Sequence, residues 1–199
     1  MSADPNLLHD FLTLPASTVY ESNGKCGDMS PDIRALFEGA RLAGPAFTVR
    51  CWPNDLSAMR KAVDLAPAGS VLVIDGGGQP GVTTWGGGAS IAAQRRGIAG
   101  VVTNGCTRDS DQIRAMRFPV FCQGTSVRGG VRHHPGWLQA PIAVGGTVVN
   151  PGDWLVADGD GVVVIALDRL QSVREAALDK FRKEQAREER LRAGEAYDI

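Results

Sequence analysis

The sequence carries no surplus of charge of either sign: 21 Lys and Arg stand against 22 Asp and Glu in 199 residues, leaving a net charge near −1. So balanced a chain lacks the electrostatic footprint of a nucleic-acid binder, and no nucleic-acid partner is expected. The Arg-rich C-terminal stretch is as rich in Glu and makes no basic patch. No apolar run is long enough to cross a bilayer, and no basic segment followed by an apolar one trails Met1-Ser2-Ala3-Asp4-Pro5. No membrane association and a cytoplasmic location are therefore expected. The cysteines Cys26, Cys51, Cys106 and Cys122 form no C-x-x-C pair, which argues against a zinc knuckle or a dithiol motif and for reduced thiols. Lysines are scarce, and none of Lys25, Lys61, Lys180 and Lys183 lies in a buried-strand context, so a Schiff-base chemistry has little to draw on. His133 and His134 would point to opposite faces of a strand and read better as part of an exposed loop. Repeats and low-complexity segments are absent.

What the chain does have is glycine, 25 residues of it, and an alternation of apolar runs with helical spacing. Many backbone positions must therefore take positive φ or approach something closely. Residues 5–40 read as short helices broken by Pro15, Gly24, Gly27 and Pro31. Strands are expected at 45–51, 70–75, 98–103 and 119–122, with helices at 55–65, 89–96 and 109–116 between them. Continuous runs such as Val71-Leu72-Val73-Ile74 suit strands buried on both faces. Alternating strand and helix means a parallel or mixed sheet, with ligands at the carboxyl ends of the strands. After Pro141, short strands split by Gly-Gly, Asn-Pro-Gly and Asp-Gly turns read as antiparallel hairpins. From Asp168 one long helix is expected, with Leu170, Val173, Ala177 and Phe181 as its apolar stripe. Its charged end is either a solvated tail or an arm for a neighbouring subunit.

Two glycine clusters invite a ligand. Gly76, Gly78 and Gly81 spell G-x-G-x-x-G after a strand, but Val82-Thr83-Thr84 follows where a dinucleotide site needs a helix. The next strand ends in Thr103-Asn104 rather than an acid, so a nucleotide cofactor is not expected. Gly86-Gly87-Gly88-Ala89 precedes a helix, and its N–H groups could receive a carboxylate; equally, three glycines could merely permit a sharp turn. Arg108-Asp109 follows the 98–103 strand. Asp109 can ligate Mg²⁺ through oxygen, and Arg108 offers a fork of donors for a carboxylate or enolate oxygen. The plainer alternative is that Asp109 caps the next helix while Arg108 makes a surface ion pair. Cys106, beside this pair without a neighbouring His, reads as a small packed residue.

Four stretches give the chain a familiar look: Arg41 to Val49, Gly69 to Asp75, Arg96-Gly97-Ile98-Ala99-Gly100-Val101-Val102-Thr103-Asn104-Gly105-Cys106-Thr107-Arg108-Asp109, and Ala157 to Val164. They resemble, in order, the family that joins 4-hydroxy-4-methyl-2-oxoglutarate (HMG) and 4-carboxy-4-hydroxy-2-oxoadipate (CHA) aldolases to the RraA-like proteins. Glu184, Arg187, Leu191 and Gly194 match the family's C-terminal E-x-x-R-x-x-x-L-x-x-G pattern. The resemblance implies an α/β fold, a compact RraA-like layered sandwich with mixed β-sheets, flanking helices and a long C-terminal helix. It implies one domain over 1–199 with 168–199 as a helical arm, assembled as a homotrimer or homohexamer with active sites between subunits. It implies a lyase that cleaves HMG- or CHA-type 2-oxo acids to pyruvate and decarboxylates oxaloacetate, using Mg²⁺ or Mn²⁺. In that scheme Asp109 holds the metal and Arg108 steadies substrate and enolate. The backbone of Gly86, Gly87, Gly88 and Ala89 binds the 2-oxo acid, and Glu184, or failing it Glu188, comes from a neighbouring subunit to the metal's water. One departure stands out. The family's aldolases carry an acid in a D/E-x20-R-D spacing, and counting back from Arg108 lands on Gly87. RraA proteins, which bind and inhibit a ribonuclease, lack the Arg-Asp pair. This chain keeps the pair and loses the acid, so a non-catalytic RraA-like binding or regulatory protein, acting on a ribonuclease or another protein partner, is the alternative reading.

Overall fold

The computed structural model describes residues 5–79 and 81–197; the extreme N-terminus, from which no leader was expected, and the last residues of the expected arm lie outside it. Two short helices open the chain, α1 (Pro5–Thr13) and α2 (Ala16–Ser22). Then come β1 (Arg34–Ala35), β2 (Leu42–Arg50), α3 (Ser57–Leu65), β3 (Val71–Asp75), β4 (Thr83–Trp85), α4 (Gly87–Arg95), β5 (Gly100–Thr103), β6 (Cys106–Thr107), α5 (Ser110–Met116), β7 (Val120–Cys122) and β8 (Gly124–Thr125). The remainder is β9 (Trp137–Leu138), the hairpin β10 (Ile142–Val144) and β11 (Thr147–Val149), the hairpin β12 (Trp154–Asp158) and β13 (Gly161–Ile165), a 3₁₀ turn at Leu167–Arg169, and α6 (Leu170–Arg192).

The main sheet has eight strands in the order β1-β7-β5-β3-β2-β12-β13, with β9 also on β2. Its centre, β2-β3-β5-β7, is parallel, and its flanks are antiparallel, so the sheet is mixed as expected. β3 shows why an unbroken apolar run is needed here. Leu72 and Ile74 enter the cluster under α3, α4 and α5, while Val71 and Val73 enter the one on the opposite face with the β10–β11 hairpin. Each such burial contributes about 1.5–3 kcal/mol. α3 turns Ala58, Met59, Ala62 and Val63 inward at helical spacing. A third cluster joins α1 and α2 to β12, β13 and α6 through Phe11, Leu14, Trp154, Ile165 and Val173.

A small parallel sheet, β4-β6-β8, stands beyond the carboxyl ends of β3, β5 and β7 and repeats their order. Short strands of this kind leave no period in the sequence, and none was expected at Thr83–Trp85 or Gly124–Thr125. Three further differences have local causes. The 5–40 segment is helical only to Ser22; beyond it the chain runs through bridges and turns into β1, tied by the Met29 N–H donating to the Val162 carbonyl. The C-terminal helix proper begins at Leu170, because Leu167–Arg169 tightens into a 3₁₀ turn whose Leu167 N–H donates to Asp153 Oδ1. α4 begins two residues early, at Gly87, where propensity disfavours a helix but the Asp109 carboxylate takes the Gly87 N–H.

Candidate functional site

The parallel strands β4 and β6 end side by side, and their carboxyl ends bring Gly86 and Arg108 into one corner. The Arg108 N–H donates to the Trp85 carbonyl (3.1 Å), and Thr107 Oγ1 donates to the same oxygen (3.2 Å). Trp85 is buried and stacked on Phe118; its Nε1 donates to Ser90 Oγ (2.7 Å), which donates to the Gly86 carbonyl (3.1 Å). This chain of bonds fixes the first turn of α4 against the end of β4.

Asp109 takes a left-handed conformation (φ 56°), which Asp tolerates better than most residues. The turn swings its carboxylate away from α5 and toward α4. Oδ2 accepts the Gly87 N–H (3.0 Å) and lies 3.7 Å from Arg108 Nε. The capping of α5 that a plain reading would assign to Asp109 does not occur; its side chain makes no cap bond there. The Arg108 and Asp109 side chains are 47% and 44% exposed, so their mutual attraction is worth no more than about 1 kcal/mol and both remain available to a ligand. Gly86 is needed because a Cβ there would lie 3.1 Å from Asp109 Oδ2 and 3.2 Å from Arg108 Cγ.

Gly86, Gly88, Ala89, Arg108 and Asp109 line a cleft of about 290 Å³ between α4 and α3. Gly87 does not reach it, since its N–H is taken by Asp109. Met59, Val63 and Ala92 form an apolar wall, while Arg60, Asp64 and Arg132 stand around the opening. Arg60 and Arg132 carry no sequence signal, for they come from α3 and from a loop far along the chain. That loop is strapped down by Asp55, which is 2% exposed and accepts the N–H groups of Ser57 (2.8 Å), His133 (2.6 Å) and His134 (2.9 Å). The strap also explains His133 and His134, whose backbone N–H groups it uses, while the His134 ring packs edge-on against Trp52.

Burial by itself would raise the Asp55 pKa, but the N–H groups of His133, Ser57 and His134 outweigh it and hold the carboxyl well below its ordinary 3.8. A carboxyl depressed on folding stabilises the fold above its unfolded pKa, and that contribution is lost as pH falls below it. Asp55→Asn should cost about 2 kcal/mol at neutral pH, since charged hydrogen bonds become neutral ones. The variant should also lose stability less steeply than the parent below about pH 4, as urea unfolding across pH would measure.

Other residues are excluded by their surroundings. Burial pushes the Cys51 thiol up to about 12 and raises that of Cys122, so neither supplies a thiolate. Hydrogen bonds to Glu21 and Glu184 raise the Lys180 pKa, the reverse of what an amine nucleophile needs. Cys106 is a packed residue, 8% exposed. The Gly76 and Gly77 N–H groups donate to Asn104 Oδ1 and Asp75 Oδ1, and the loop runs into β4, not a helix. Glu184 accepts from Thr18 Oγ1 (2.8 Å) and pairs with Lys180 on the α2–α6 layer, and Glu188 pairs with Arg192. Within one chain neither glutamate belongs to the Arg108–Asp109 corner. Among the described residues no three His, Cys, Asp or Glu side chains gather around a point that could hold a metal.

The mixed α/β sheet, with short parallel strands carrying Arg108 and Asp109 to the glycine-opened start of α4, places this cleft at strand carboxyl ends, where open α/β sheets bind ligands. The chain belongs to the RraA-like family: residues 14–164 match the Aldolase/RraA model. A protein of Halalkalibacterium halodurans, provisionally named 4-hydroxy-4-methyl-2-oxoglutarate aldolase, is 33% identical over 186 residues, 94% of this chain and 89% of that one. Protein DlpA of Legionella pneumophila is 36% identical over 177 residues, 85% of this chain, but the match spans only 29% of its length. Among solved structures, Streptomyces coelicolor RraAS2, described as an unusual member of the RNase ES inhibitor RraA family, superposes with a TM-score of 0.83 at 26% identity, covering 94% of this chain and 98% of that one. No helix among the described residues is long and apolar enough to cross a membrane.

Proposed function

We propose that this chain is a divalent-metal-dependent lyase that cleaves C–C bonds of 2-oxo acids, HMG- or CHA-type substrates and oxaloacetate among them, to give pyruvate. The observation that carries the reading is the corner itself: Arg108 and Asp109 side by side, facing a cleft floored by the first turn of α4. The donor set suits a hard, water-rich cation. Asp109 commits Oδ2 to Gly87 and offers an oxygen ligand at the cleft, and Mg²⁺ takes one or two protein carboxylates, filling the rest of its shell with water and substrate oxygens. A bound Mg²⁺ or Mn²⁺ would supply Lewis acidity toward the keto acid's oxygens.

The chain's own residues do the remaining work. The N–H groups of Gly88 and Ala89, at the positive end of α4, receive the substrate carboxylate. Arg108 presents its fork to the oxygen that gains negative charge as the C–C bond breaks, and stabilises it in a partly dry cleft. Met59, Val63 and Ala92 limit the water that reaches that charge. Glu184 or Glu188 would enter from a neighbouring copy in a trimer or hexamer, with 168–199 as the arm of a single domain. The likeness to RraAS2, together with glycine at 87, favours one second reading, a protein that regulates a ribonuclease without catalysis.

The test is direct. Purified protein with Mg²⁺ or Mn²⁺ should release pyruvate from oxaloacetate, and EDTA should stop it. A chain inert toward every 2-oxo acid offered would overturn the lyase reading in favour of the regulator.

A further inference from the structure

Two of the three arginines at the cleft have no partner. Arg108 lies 3.7 Å from Asp109 Oδ2. The side chains of Arg60 and Arg132 make no hydrogen bond or ion pair among the described residues, although Asp64 lies one helical turn beyond Arg60. Both are exposed, yet their backbones are fixed, and fixed together. The Leu56 N–H donates to the Val131 carbonyl (2.9 Å), and the Val131 N–H donates to the Asn54 carbonyl (2.8 Å). The buried Asp55 carboxylate takes the N–H groups of Ser57, His133 and His134. Arg132 is thus flanked by anchored residues on both sides, and Arg60 stands in the helix whose first N–H the same carboxylate holds. One buried acid sets the place of both cations.

We propose that Arg60 and Arg132 receive a second acid group of the substrate, so that the cleft selects 2-oxo acids carrying a further carboxylate over those with only one. This rests on the lyase reading above and deepens it, since it names the residues that choose the acid. Arg108 and Asp109 face each other at the inner corner, which leaves Arg60, Arg132 and Asp64 as a net positive rim. A cleft edged by an excess of one sign concentrates ligands of the other. Each guanidinium presents a planar fork of donors that matches a carboxylate. The apolar wall of Met59, Val63 and Ala92 suits the carbon chain between the two acid groups.

Calorimetry on the 199-residue chain, in Mg²⁺ and again in EDTA, reads this with 2-oxoglutarate and 2-oxopentanoate as probes. The two acids share the keto end and the chain length and differ in the far carboxylate. 2-Oxoglutarate should bind about twentyfold more tightly in both conditions, from two exposed charge pairs of about fivefold each. Arg60→Gln and Arg132→Gln should each weaken 2-oxoglutarate by about fivefold and leave 2-oxopentanoate unchanged. Arg128→Gln removes an exposed cation of the same loop that does not line the cleft, and should change neither. With oxaloacetate, the Arg60 and Arg132 variants should raise KM and leave kcat nearly as it was. Circular dichroism should show every variant folded. If the two probes bind alike or not at all, or if Arg128→Gln weakens 2-oxoglutarate as much as the other changes do, the proposal fails, while pyruvate release still decides the lyase reading. If pyruvate is never released but the preference for 2-oxoglutarate persists and depends on Arg60 and Arg132, the lyase reading fails and the dicarboxylate site stands.

Discussion

Asp109→Asn is expected to lower pyruvate release from oxaloacetate by about 10³-fold while the protein stays folded. The magnitude follows from several kcal/mol of charge stabilisation lost with the cation, about 4 kcal/mol being equivalent to that factor. Retention of the fold follows from the geometry. Asparagine tolerates the left-handed backbone at 109, and its side-chain oxygen can still accept the Gly87 N–H. Melting temperatures should therefore agree closely, as for most surface substitutions, which change stability by about 0.5 kcal/mol or less. If activity survives the change, the carboxylate serves only to hold the first turn of α4.

Arg108→Lys should lower kcat by about 10²-fold or more, comparable to removing one donor from an oxyanion site. A lysine keeps the charge but loses the planar fork, and here the fork is located by close neighbours. Arg108 Cγ and Nε pack against the bare Cα of Gly86, and Nη1 lies 3.1 Å from where a Cβ of Gly129 would be. An ammonium on a flexible stem would not be held in that slot. Steady-state kinetics should show the loss in kcat and kcat/KM together, marking an interaction made in the transition state. A rise in KM alone would make Arg108 an anchor for the bound acid and nothing more.

The parts of the fold that announce themselves in the sequence are those whose environment repeats along the chain. Val71 to Ile74 and Val101 to Val102 are apolar without interruption because both faces of the central sheet are covered. The two late hairpins are punctuated by Gly-Gly and Asp-Gly turns. The Arg-Asp pair is legible, as is β5 before it, but β6, whose end carries the pair, is two residues long and leaves no pattern. What could not be read depends on residues brought together across the chain. The Asp55 strap joins the start of α3 to His133 and His134. The left-handed backbone of Asp109 goes with its carboxylate reaching the Gly87 N–H at the start of α4. None of these has a period or a local motif, so only the assembled molecule reveals them.

The three-stranded annex that carries the Arg-Asp corner continues the central sheet: β4, β6 and β8 are short extensions past β3, β5 and β7, and Thr84 bonds to Thr103 of β5. Its ladders involve few residues, and the buried Trp85 of β4 roots it in the main core. Changes to the half-exposed Arg108 and Asp109 side chains at its end cost the scaffold little, much as a lock cylinder can be exchanged without rehanging the door. A frame of this kind can gain or shed an exposed carboxylate by one or two substitutions while the buried sheet beneath stays as it is.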